Sequence, residues 1–114
     1  MLTAAEGALT HWTRAGTWLE EERAFYRLAR SRIAAGHADA AVESAQRCVE
    51  VCASNDAPAF ERFFGHAVLA LALRAAGKTD EFRAQRNLAQ GFYEQVPADE
   101  KSWCESDLAE LRAP

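Results

Sequence analysis

Residues Pro58–Ala76 read PAFERFFGHAVLALALRAA, and Gly77 follows them. From Ala67 to Leu73 the run carries no polar side chain. A helix that is apolar on nearly every side is buried on nearly every side, unless it lies in a membrane. The run falls far short of the roughly 20 apolar residues that span a bilayer. Its ends carry helix punctuation. Pro58 suits a first turn, where a missing N–H costs nothing. Glu61 lies toward the positive end of the helix dipole and Arg74 toward the negative end. Gly77 can take the left-handed conformation just past the last turn. These residues predict a central helix with the other helices packed around it.

The rest of the chain agrees with that class. At 114 residues it fits one domain, expected to span 1–114 with a core of its own. Hydrophobic content of 49% excludes wholesale disorder. Alanine is abundant and β-branched residues are few, which favours helix over strand. A net charge of −4 argues against nucleic acid as a partner. There is no apolar leader, membrane-spanning run or lipidation motif, so a cytoplasmic protein with no membrane partner is expected. The preference for arginine over lysine, with the alanine, fits a GC-rich bacterial genome. Three cysteines, two of them one helical turn apart at Cys48 and Cys52, do not make a disulfide framework. Reduced thiols are expected.

Outward from the central helix, punctuation and periodicity set the other elements. Residues 1–16 read as an N-terminal capping helix: Thr3-Ala-Ala-Glu6 is a capping-box pattern, Leu2, Ala5, Leu9 and Trp12 keep helical spacing, and Gly16 ends it. Thr17-Trp-Leu-Glu20 is a second capping box, opening a helix to about Ala35 with Trp18, Phe25, Leu28, Ala29 and Ile33 on one face. After Gly36, the stretch Ala38–Ala53 shows an apolar stripe through Ala41, Ala45, Cys48 and Cys52. Residues 17–54 thus form a first hairpin. A second hairpin, 57–96, joins the central helix to a helix over Thr79–Val96. Gly91 inside that helix costs about 1 kcal/mol against alanine and suggests a tight helix crossing. Pro97 stops it, and 98–112 reads as a C-terminal capping helix with Trp103, Leu108 and Leu111.

Superimposing Gly36 on Gly77 aligns the two hairpins. Leu28 and Leu69 then match, as do Ala29 and Ala70, and Asp39 and Asp80, at a spacing of 41 residues. On these residues the segments LARSRIAAGHADAAVESAQRCVEV and LALALRAAGKTDEFRAQRNLAQGF resemble tetratricopeptide (TPR) repeats. Ala29 and Ala70 supply the small residue midway along the first helix, Gly36 and Gly77 the turn, and Cys48 and Ala89 the small residue late in the second helix. Ala41 fits the early alanine of the second helix, and Phe82 departs from it. The spacing also departs from the family's usual length of about 34, and His66 stands where a large aromatic is expected. The resemblance implies an all-α, TPR-like right-handed stack of antiparallel hairpins, with about six helices. A compact helical bundle is the alternative.

In that family the first helix of each repeat lines a concave face. The register places Arg23, Tyr26 and Arg30 there from one repeat, and Phe64, Leu71 and Arg74 from the next. Guanidinium groups among aromatic rings suit an acidic peptide or a free carboxylate. The expected function is therefore a non-catalytic protein-interaction module with a protein or peptide partner and no cofactor. The competing account of the arginines is a solvated helix surface, paired with neighbours such as Glu20 or Glu22. Glu20–Glu22 itself reads as a solvated first turn. A class-distinct alternative is a thiol or zinc site built on Cys48, Cys52, His66 and Cys104, though no short Cys-x-x-Cys knuckle supports it. A structural homodimer is a third. Enzymatic motifs are missing: His11, His37 and His66 are scattered, with no phosphate loop and no His-Glu-x-x-His. Trp18 and Trp103 are expected to cap the ends of the stack, and Trp12 to cap or to lie at a dimer interface.

Overall fold

The computed structural model describes the backbone of residues 11–113 and the side chains of residues 17–113. The described residues form five α-helices and one 3₁₀ segment: α1 (His11–Ala34), α2 (Ala38–Ser54), α3 (Ala59–Ala75), α4 (Thr79–Gln95), the 3₁₀ segment (Ala98–Cys104) and α5 (Glu105–Arg112). Helices α1 and α2 form one hairpin, and α3 and α4 a second. The molecule measures 47 × 34 × 19 Å, so its thinnest dimension is about two helix diameters.

The two hairpin turns are built alike. Gly36 has φ +82° and Gly77 φ +78°, a region that L side chains rarely adopt. At the first turn the His37 N–H donates to the Arg32 carbonyl at 2.8 Å, and the Gly36 N–H to Ile33 at 3.0 Å. At the second, Lys78 donates to Leu73 at 2.9 Å and Gly77 to Arg74 at 3.0 Å. Both are Schellman caps, which satisfy carbonyls left over at a helix end. The pairs Ala29 and Ala70, Ala41 and Phe82, and Cys48 and Ala89 are all buried, whereas Leu28 is 40% exposed and its counterpart Leu69 is 6% exposed, so the 41-residue correspondence holds in packing at the first three pairs and fails at the leucines.

Helix α3 is the hub. It packs against α1, α2, α4, the 3₁₀ segment and α5. Every residue from Ala67 to Leu73 is buried, and Phe63 beneath them is 0% exposed. Each large side chain so removed from water contributes about 1.5–3 kcal/mol. No described helix is long and apolar enough to cross a membrane.

Five local expectations fail. Gly16 does not end a helix, because α1 runs unbroken from His11 to Ala34. One glycine costs about 1 kcal/mol, too little to interrupt a helix of 24 residues. Thr17 consequently lies inside a helix and not at its start. Of the expected capping helix over residues 1–16, residues 1–10 lie outside the described residues, as does the side chain of Trp12. Gly91 is at no tight crossing: a Cβ there would meet nothing within 4 Å. The close approach is at Gly65, whose Cβ would lie 3.4 Å from Val49 Cγ2 and 3.7 Å from Cys48 Sγ. The C-terminal helix divides into the 3₁₀ segment and the eight-residue α5. Trp103 does not cap the stack, being 73% exposed; Cys104, Leu108 and Leu111 turn inward in its place.

Candidate functional site

The sequence-derived face comes together on α1 and α3. At its centre, Tyr26 meets Phe64 edge-on with ring centroids 5.8 Å apart. Phe64 in turn contacts Phe60 and Phe63, each at 5.1 Å. Edge-to-face pairs place a ring's positive rim against a negative face, adding about 0.5–1.5 kcal/mol beyond burial. The aromatic ladder therefore fixes the spacing of the polar groups around it.

Those polar groups are engaged, and their partners are remote in sequence. The Tyr26 hydroxyl donates to Asp107 Oδ2 at 2.6 Å. Arg30 Nη2 donates to Glu110 Oε1 at 2.7 Å, and its guanidinium lies 5.9 Å from the Tyr26 ring centre. Arg74 Nη1 donates to the backbone carbonyls of Glu110 at 3.1 Å and Ala113 at 3.2 Å. It thereby supplies the positive charge favoured at the C-terminus of α5. Tyr26, Arg30 and Arg74 thus hold the chain's own α5 across the face. Burial, then the hydrogen bond to Asp107, pushes the Tyr26 phenol well above its ordinary value. Leu71, placed on the same face by the sequence register, is 5% exposed and belongs to the core.

Arg23 stands apart from α5. Its Nη2 donates to Glu61 Oε2 at 2.6 Å and its Nε to Oε1 at 3.4 Å, a two-point grip on one carboxylate. That grip raises the Arg23 value further. The pair forms one wall of a cleft of about 550 Å³, completed by Phe60, Gln95, Pro97 and Glu100. Half of the Arg23 side chain remains in solvent, against 7% of Glu61. The arginines pair with Glu61 and Glu110, not with Glu20 or Glu22.

Behind Glu61 lies a buried polar cluster that sequence reasoning misassigned. Glu22 is 1% exposed, contrary to the expected solvated first turn. Cys48 Sγ donates to Glu22 Oε2 at 3.7 Å, while Glu22 Oε1 has no hydrogen-bond partner. Burial, then the hydrogen bond and charge of Glu61, pushes the Glu22 carboxyl up to about 9. That direction favours the protonated carboxyl at neutral pH. The signal was present in the spacing: Glu22, Tyr26, Ala29 and Ile33 follow one helical stripe.

The cysteine alternative is not assembled as expected. Cys48 faces Glu22, and Cys52 donates to the Glu61 carbonyl at 3.8 Å. His66 Nδ1 lies 2.7 Å from Gln85 Oε1, and its ring stacks on Phe92. Among the described residues, no group of three or more His, Cys, Asp or Glu is arranged to hold a metal ion. All three thiols are free and buried. The interaction with Cys52, then burial, holds Cys48 well above the usual thiol value, and burial raises Cys104 to about 11.

Comparison of the chain with protein-family models, with curated proteins and with solved structures returns no match.

Proposed function

We propose that this chain is a TPR-like, non-catalytic interaction module, and that its α1–α3 face binds an acidic helical segment of a protein partner. The two Schellman turns, the 41-residue spacing and the buried small residues support the TPR-like reading of the hairpins. One observation carries the functional reading. The face already receives an acidic, leucine-bearing helix in the form of α5, through Tyr26 to Asp107 and Arg30 to Glu110. Rings and guanidinium groups set at that spacing recognise carboxylates on a helix by charge-assisted hydrogen bonds. Arg23 and Phe60 extend the face into the open cleft, where the partner's chain would continue. The cytoplasm suits such a protein, since its thiols are free.

The test is affinity capture from a cell lysate by wild type and by the Arg23→Gln/Arg30→Gln variant, with helicity of both checked by circular dichroism. An acidic partner held by wild type and lost from the variant is the expected result. Identical capture by both proteins overturns the assignment of the face.

A further inference from the structure

The same contacts that reveal the face also close it. Asp107 and Glu110 occupy Tyr26 and Arg30, and the last carbonyls of α5 occupy Arg74. No second acidic helix can use these groups while α5 is seated.

Two features set α5 apart from the longer helices. It is eight residues long, and isolated helices shorter than about 12 residues are marginal in water, so docking alone keeps it helical. It hangs on a seven-residue 3₁₀ segment, where such runs usually stop at three or four residues. Its flank toward α4 is less closely packed, with Arg112 Nη2 donating to Gln90 Oε1 across it at 3.1 Å. Leu108 and Leu111 border a recess of about 250 Å³ against Arg86, Asn87 and Gln90 of α4. Short peripheral elements open locally at free energies below that of global unfolding.

We propose that α5 is a displaceable occupant of the face, and that the partner is a helix carrying the pattern Asp-Leu-x-Glu-Leu found at residues 107–111. This rests on the reading of the face given above. The partner competes for Tyr26, Arg30 and Arg74, and its leucines replace Leu108 and Leu111 over α3. Because α5 is tethered, its effective concentration is of the order of millimolar, and it excludes weak or mismatched helices. Only a segment with both the acids and the leucines displaces it.

The test uses the full chain and a labelled synthetic peptide copying residues 98–113, with serine in place of Cys104. Affinity is read by fluorescence anisotropy for wild type, for Glu110→Gln and for Asp107→Asn/Glu110→Gln. Both variants keep the leucines, so the body stays folded, and a thermal melt verifies it. Weakening one or two charge-assisted contacts in cis tightens peptide binding in trans by about ten- to a hundred-fold. A peptide carrying the same Asn and Gln changes should lose that binding. Hydrogen exchange across residues 105–113 should accelerate when peptide is added to wild type. Equal affinity for wild type and both variants shows that α5 does not gate the face, and overturns this inference while the face remains a binding surface. Absence of peptide binding to all three proteins overturns the reading of the face as well.

Discussion

Glu22→Gln should stabilise the protein, and the gain should depend on pH. The carboxyl is 1% exposed, its Oε1 has no partner, and it faces Glu61 from α3 and Cys48 and Cys52 from α2. In the fold it holds its proton to about pH 9, whereas its ordinary value is 4.5. Between those limits the folded state binds the extra proton and the unfolded state does not. Stability from this group is therefore fully present below pH 4.5, falls as pH rises, and levels off above pH 9. The slope is about 1.4 kcal/mol per pH unit, so at about pH 7.5 the native state forgoes roughly 4 kcal/mol. Glutamine keeps the shape and a donor for Glu61 with no proton to take up. Allowing about 2 kcal/mol for an imperfectly paired buried amide, the net gain should be about 2 kcal/mol at pH 7.5, vanish near about pH 6 and become a loss of about 1 kcal/mol near pH 5. Urea denaturation of both proteins at several pH values measures it. Two stability curves that run parallel across pH would refute the reasoning, as would a variant less stable than wild type at pH 8.

Further predictions concern the turns, the face and the thiols. Gly77→Ala, at φ +78°, should cost about 1 kcal/mol, whereas Gly91→Ala, with nothing within 4 Å of its new Cβ, should gain about 0.5–1 kcal/mol. Paired thermal melts decide both signs. Tyr26→Phe removes the donor to Asp107, a carboxylate that is 7% exposed, and should destabilise by about 1–3 kcal/mol; chemical denaturation at neutral pH reads the loss. Cys48, Cys52 and Cys104 should react with an aromatic disulfide reagent only after denaturation, and stoichiometric fast labelling of native protein would contradict their burial.

What could be read from sequence was local. Pro58, Gly36 and Gly77 act on the backbone beside them, so three helix boundaries were visible without knowledge of the fold. The apolar run Ala67–Leu73 required burial wherever it lay, and it is the hub. Gly16 misled because a single glycine costs only about 1 kcal/mol within a helix of 24 residues. Gly91 and Gly65 could not be ranked by propensity, since only the opposing helix decides which one touches Val49. The face residues were named from a repeat register, and four of the five come together around the Phe64 ladder and α5. Their partners could not be named, because Asp107 and Glu110 lie 81 and 80 positions from Tyr26 and Arg30. No periodicity spans that distance. Glu22 was hidden by its neighbours: a run of three glutamates looks solvated until the stripe through Tyr26 and Ala29 is followed.

The central place of α3 bears on the order in which the chain acquires its shape. The main packing partners among α1 to α4 are helices consecutive along the chain, joined by short turns. Such neighbour contacts form after brief searches, and mostly local topologies fold in microseconds to milliseconds. The bonds from Tyr26 and Arg30 to α5 are of the opposite kind, closing loops of about eighty residues. The two hairpins therefore collapse around α3 first, and the face stands open on each new chain until the last eight-residue helix arrives to cover it.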